Sequence, residues 1–192
     1  MTTGSTSASV VNEALVLIAA RATVTGTNPT FDGSAAGNAA GLIYTPLVNL
    51  LLRKQDWEFA RRTGFAPAGV GGYGSDPALP YEWIYPTDCL RIRQVYPTSY
   101  NANDPQAVRW NVADDIIGGT PTKVLFTSIP SVLLAYTTSN VGENQWDAGF
   151  QETFVRLLGS GLAMGLGGRP DFSEKFLEQA NALATQMFGL DS

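Results

Sequence analysis

Apolar residues recur every three or four positions at both ends of this chain and every second position through its middle. Near the start, Val10, Val11, Ala14, Leu15 and Ile18 mark an amphipathic helix ending near Arg21. Residues 1–9, MTTGSTSAS, are small and polar; they predict a flexible arm, with Ser7 or Ser9 capping the helix. Residues 23–33, TVTGTNPTFDG, are rich in turn formers and read as a loop. A second helix starts after Gly33 with Ser34 as its cap, and Tyr44, Leu47, Val48, Leu51 and Leu52 form its apolar side. Pro46 lies inside it and predicts a kink or a break. The helical pattern resumes through LLRKQDWEFARR and stops by Gly64.

From Phe65 to Tyr136 the period shortens. YEWIY, LRIRQVY, AVRWNV, KVLFTS and VLLAYTT read as strands, separated by GVGGYGSDP and by a DDIIGGTP turn. In the second of these, Leu90, Ile92 and Gln94 are expected on one face and Arg91, Arg93 and Val95 on the other. After SNVGEN the helical period returns. Trp146, Phe150, Phe154, Leu157, Leu158, Gly161 and Leu162 line one helix, which ends at Gly167-Gly168. Pro170 starts the next helix, or Asp171 caps it with Glu174 three residues on. Phe172, Phe176, Ala180, Leu183 and Met187 form its apolar stripe. The expected fold is therefore α+β. About four helices (residues 10–64 and 141–192) form one bundle, interrupted by a small, mostly antiparallel β-subdomain (65–140).

Composition narrows the chemistry. With no histidine among 192 residues, a Ser-His-Asp or Cys-His system cannot be assembled. A single cysteine excludes an internal disulfide and a thiolate metal cluster, so no cofactor or metal is expected. The longest apolar run near the N-terminus, Ala14 to Ala20, is short, and no basic stretch precedes it. The expectation is a soluble chain without a membrane span or a secretion signal. Net charge is −5, and the C-terminal part, residues 141–192, holds three basic and seven acidic residues. No basic surface dominates, which argues against non-specific nucleic-acid binding. RKQDWEFARR (53–62) is basic and aromatic, yet Asp56 and Glu58 interleave and Glu58 suits an ordinary helix-surface pair with Arg61 or Arg62.

Several residues invite a catalytic reading. Cys89 opens a strand without a histidine to activate it; Leu90 and Ile92 favour burial, where it fills space. The glycines of GSGLAMGLGG (159–168) fall inside a helix with no Lys-Ser/Thr after them, which suits close helix packing at Gly161 and Gly165 rather than a phosphate loop. A carboxylate pair hydrolyses glycosides without histidine, and Asp114, Asp115, Glu143, Asp147 and Glu152 are the candidates. Asp114 and Asp115 adjoin in the expected turn, and Asp147 and Glu152 share no helix face. A solvated acidic surface accounts for all five. The chain has four tryptophans and seven tyrosines, and some of them are expected at subunit contacts.

Two stretches taken together carry a resemblance. DWEFARR (56–62) closes the N-terminal helical part, and YEWIYPTDCLRIRQVYP (81–97) follows a glycine-rich loop. With NEALVLIAARATV (12–24) as an opening helix, this resembles the head-to-tail adaptors of short-tailed phages, the tail tubular protein A and tail accessory factor group. The matching positions are Trp57, Phe59 and Ala60, then Pro86, Asp88, Cys89, Leu90 and Arg91. Tyr85 departs from the leucine expected before the proline. The resemblance covers residues 10–97 well and rests on element order beyond them.

The resemblance implies a virion structural protein and no enzymatic activity. It implies a ring, typically of twelve copies, assembled in the host cytoplasm, that joins the portal protein to the tail nozzle. DNA passes through the lumen without specific binding, and no membrane is involved. The residues after Phe188, Gly189, Leu190, Asp191 and Ser192, are expected to reach the portal. The acidic C-terminal helices, with Glu174 and Glu178, are expected to line the lumen. The rivals are a carboxylate-based peptidoglycan hydrolase and the adaptor of a long-tailed phage.

Overall fold

The computed structural model describes residues 5–67, 76–99, 108–167 and 169–188. The fold is α+β, with four α-helices and two small antiparallel sheets of three strands each among the described residues. The chain forms two compact units: residues 1–54 with 141–192, and residues 55–140. Residues 55–64, expected with the helices, thus belong to the second unit.

In the helical unit, α1 spans Ser7–Leu17 and α2 spans Ala35–Lys54. α3 (Ala148–Gly167) and α4 (Pro170–Phe188) follow the second unit in sequence. The cap of α1 is Thr6, not Ser7 or Ser9. Its hydroxyl accepts from Ser9 N at 3.2 Å, and Ser9 Oγ accepts from Thr6 N at 2.9 Å, a reciprocal capping box. Ser7 is buried instead and accepts from Asn28 N at 3.1 Å. α1 stops at Leu17, short of Arg21. Asn12 holds the loop after it, giving and taking one hydrogen bond each with Val24 at 2.9 and 2.7 Å. Ser34 does cap α2, accepting from Gly37 N at 3.0 Å.

α2 runs through Pro46 unbroken. Pro46 is exposed, as is Leu42 four residues earlier, so the carbonyl that loses its helical donor there lies on the solvent side. α2 is also, by length and composition, apolar enough to cross a membrane, contrary to the sequence reading. Its Ala36, Ala40, Tyr44, Val48, Leu51 and Leu52 are buried within the helical unit.

α3 supplies the centre of this unit. Phe150, Phe154, Leu158 and Leu162, spaced by four, are fully buried. Tyr44 packs edge-on to Phe154 at 5.0 Å, and Trp146 edge-on to Phe150 at 4.8 Å. Gly161 lets α2 approach: a Cβ there would stand 2.8 Å from Ile43 Cδ1. Gly165, expected to pack likewise, is exposed with nothing near it. On α4, Phe176, Ala180 and Ala184 are buried, with Phe172 and Leu183 partly so; the Met187 side chain lies outside the described residues.

The β unit opens with a 3-10 turn at Glu58–Ala60 and strand β1, Arg61–Phe65. Here the expected helix is absent. α2 has ended at Lys54, and Arg61 to Phe65 pair antiparallel with β6 (Val132–Thr138). One sheet has the order β1-β6-β3 and the other β2-β5-β4, with β2 at Tyr81–Ile84, β3 at Cys89–Pro97, β4 at Trp110–Ile117 and β5 at Thr120–Thr127. Their shared core holds Tyr85, Ile92, Val95, Leu125, Val132 and Leu134.

β3 departs from simple alternation. Its register against β6 shifts between Cys89 and Arg91 and again between Ile92 and Gln94. The second shift turns Val95 inward with Ile92 and leaves Gln94 exposed, opposite to the expected faces. Asp114 and Asp115 lie in β4, and the turn is only Gly118-Gly119, both at positive φ.

Candidate functional site

The two halves of the 57–91 motif meet in one corner of the β unit. Trp57 and Ala60 are buried beside the 3-10 turn, and Phe59 is half-buried. The Trp57 and Phe59 rings are 6.1 Å apart. Arg93 ties this segment to β3. Its side chain is 7% exposed and donates from Nη2 to the Trp57 carbonyl at 2.7 Å and from Nε to Thr137 Oγ1 at 2.9 Å. Asp56 lies 3.4 Å from Arg93 Nε and also pairs with Arg91; Glu58 lies 3.9 Å from Arg93 and 3.5 Å from Arg61. Burial lowers the guanidinium's proton affinity; the Asp56 and Glu58 carboxylates act the other way.

Pro86 to Leu90 form the second half of the corner. Cys89 N donates to the Pro86 carbonyl at 3.0 Å, closing the turn. Asp88 accepts from Thr138 Oγ1 at 2.7 Å and from Tyr136 OH at 3.3 Å, and its carbonyl accepts from Ser139 N at 2.8 Å. The start of β3 is thereby fixed to the end of β6. Burial, then the Asp88 charge, pushes the Tyr136 phenol up. Cys89 and Leu90 are half-buried. Burial also pushes the Cys89 thiol up and the Asp88 charge adds to this, against a Tyr85 hydrogen bond and the Lys123 charge. A thiol held protonated beside the sheet core is a space filler in its chemistry.

The sequence could suggest Asp88 as a turn residue but not its partners fifty residues on. Sequence alone does not mark Arg93 and Asp56 as a pair. The only local signal is an Arg-x-Arg strand opposite an acidic segment, and register alone decides whether they meet.

The five candidate carboxylates fall in both units, and those of the helical unit each have a partner of their own. Asp147 caps α3, accepting from Phe150 N at 2.6 Å. Glu143 accepts from Tyr44 OH at 2.9 Å; burial, then the Glu143 charge, pushes the Tyr44 phenol far up. Glu152 pairs with Arg156 at 2.9 Å. Asp114 and Asp115, adjacent in β4, point to opposite faces. The structure adds a carboxyl that the sequence reading passed over. Glu82 on β2 is 7% exposed, one of its oxygens has no hydrogen-bond partner, and the other carboxyl within hydrogen-bonding reach is Asp115. Burial, then the Asp115 charge, pushes Glu82 up. Carboxyls that close leave no room for a glycosidic bond, which needs about 5 Å or more between them.

Glu174 and Glu178 are exposed on α4, one turn apart. Gly189, Leu190, Asp191 and Ser192 lie outside the described residues, as does most of GVGGYGSDP. Of the aromatic residues considered for contacts, Tyr44, Trp57 and Tyr85 are buried, while Trp110 is 38% exposed. Among the described residues no group of three or more Cys, Asp or Glu is placed to hold a metal ion. Comparison with protein-family models gives no match, and comparison with curated proteins gives none.

Proposed function

We propose that this protein is a head-to-tail adaptor: a non-enzymatic subunit that forms a ring beneath a phage portal, carries the tail nozzle and surrounds the exiting DNA. The observation that supports it most is the corner just described. The residues that carry the family resemblance, Trp57 to Ala60 and Pro86 to Arg91, are separated by a loop in sequence yet converge through Arg91, Arg93 and Asp56. Such convergence is what a fold-defining motif requires, and its residues have structural partners rather than a shared cleft.

In this reading the β unit is a block whose corner fixes β3 to the segment that precedes β1. The helical unit supplies α4, whose exposed Glu174 and Glu178 face a passing duplex. Carboxylates repel phosphates, so DNA finds no counterion to displace and slides. The ring has about twelve copies.

The test is co-sedimentation with portal rings from the same genome, with a peptidoglycan-clearing assay alongside. Association in a fixed stoichiometry without clearing supports the adaptor. Clearing by a solitary chain, abolished by one carboxylate substitution, overturns it in favour of the hydrolase.

A further inference from the structure

Glu82, on β2, is 7% exposed, and its Oε1 has no hydrogen-bond partner. A carboxylate taken out of water without a partner is costly, and a buried oxygen of this kind calls for a donor or a cation. The sheet order β2-β5-β4 puts Asp115 on the other side of β5. Glu82 stands opposite Phe126, and Asp115 opposite Thr122. Those β5 residues are an even number of positions apart, so Glu82 and Asp115 leave the same face, diagonally across the strand. There the Asp115 carboxyl comes within hydrogen-bonding reach of Glu82. One Asp115 oxygen accepts from Ile116 N at 2.7 Å, which orients the group. Asp115 is exposed, so the pair is open to solvent on its side.

No base answers these two acids. Lys123, next to Thr122 on β5, leaves the opposite face, where its Nζ lies 4.4 Å from the centre of the Tyr85 ring. Neither arginine nor lysine enters the balance that sets the proton affinity of Glu82; burial and Asp115 act on it, both upward.

The geometry points to a site for a hard divalent cation, magnesium or calcium, held between the Glu82 and Asp115 carboxylates with water completing its shell. The protein donors are all carboxylate oxygens, which suit these ions rather than zinc or copper. Magnesium commonly takes one or two protein carboxylates and keeps several waters, so a third acidic residue is not needed. Its ligand distance of about 2.1 Å sets neighbouring ligand oxygens about 3 Å apart, the separation of a hydrogen-bonded pair. A dication neutralises both acids at once and gives the buried Glu82 carboxylate a charged partner. It also ties β2 to β4 across β5. The site stands apart from the adaptor reading and holds or falls without it.

Thermal unfolding of the full chain at pH 7, after dialysis against a chelator, tests this. Magnesium or calcium at about 10 mM should raise the wild-type midpoint by about 3 °C or more over sodium chloride of equal ionic strength. Glu82→Gln and Asp115→Asn should each lose that gain while still unfolding cooperatively. Asp114→Asn, changed on the opposite face, should keep it. Terbium emission excited through tryptophan should appear with the wild type, be displaced by calcium and be lost in Glu82→Gln. No gain over matched salt, or an equal gain in Glu82→Gln and Asp115→Asn, overturns the site. So does a wild-type midpoint that rises only with falling pH, because a proton then joins the pair in place of a metal.

Discussion

Arg93 and Arg91 sit two residues apart on one strand and share Asp56, yet they should differ greatly in worth. Arg93 is 7% exposed at its side chain and Arg91 45%. Replacing Arg93 with leucine deletes its bonds to the Trp57 carbonyl and Thr137 Oγ1. Each bond from a charged donor contributes about 1.5 kcal/mol or more, so the loss is about 3 kcal/mol. Leucine recovers part of the apolar contact of the stem but none of the bridge. Arg91→Leu removes a solvent-screened pair and costs about 0–1 kcal/mol. Urea unfolding gives the totals, and hydrogen exchange read peptide by peptide gives their location. Arg93→Leu should raise exchange in β1 and β3 and leave α3 unchanged. Equal costs for the two variants, or unchanged protection of β1 in Arg93→Leu, would refute the argument that burial and the Trp57 bridge hold this corner.

Three further outcomes follow from the same structure. Cys89→Ser should preserve assembly at a cost of about 1 kcal/mol; lost assembly in a folded variant would contradict the space-filling role. Pro46→Ala should stabilise the helical unit by about 2 kcal/mol, since alanine restores a helical N–H at an exposed site and the unfolded chain regains less than 1 kcal/mol of entropy; an unchanged thermal midpoint would count against it. Glu82 has its folded proton affinity raised by burial first, so its contribution is present below the ordinary glutamate range and lost as pH rises through the folded value. Glu82→Gln should therefore melt higher than wild type at pH 7 and draw level near pH 4; a constant difference across that range would show that the charge is not penalised.

What the sequence revealed depended on how local the cause was. The stripe Phe150, Phe154, Leu158, Leu162 predicts α3 because its period and its burial coincide. The same holds for Phe176 and Ala180 on α4. β1 was hidden because RRTGF is largely exposed and polar, so its pairing with β6 leaves no alternation to see. The faces of β3 were misassigned because a register shift, set by β6, moves Val95 inward. Asp114 and Asp115 read as part of a turn because the two glycines that form it come later in the same run. Of the candidate site, Asp88 and Cys89 were legible as a turn entering a strand. The bridge from Arg93 to Trp57 was not, because nothing in either segment specifies the other.

Cryo-electron microscopy of the protein mixed with a phage portal tests the proposed adaptor reading most directly. A closed ring of about twelve subunits, with α4 carboxylates toward an open lumen, is the expected result. Single subunits beside bare portal, or a ring lined by basic side chains, would contradict it.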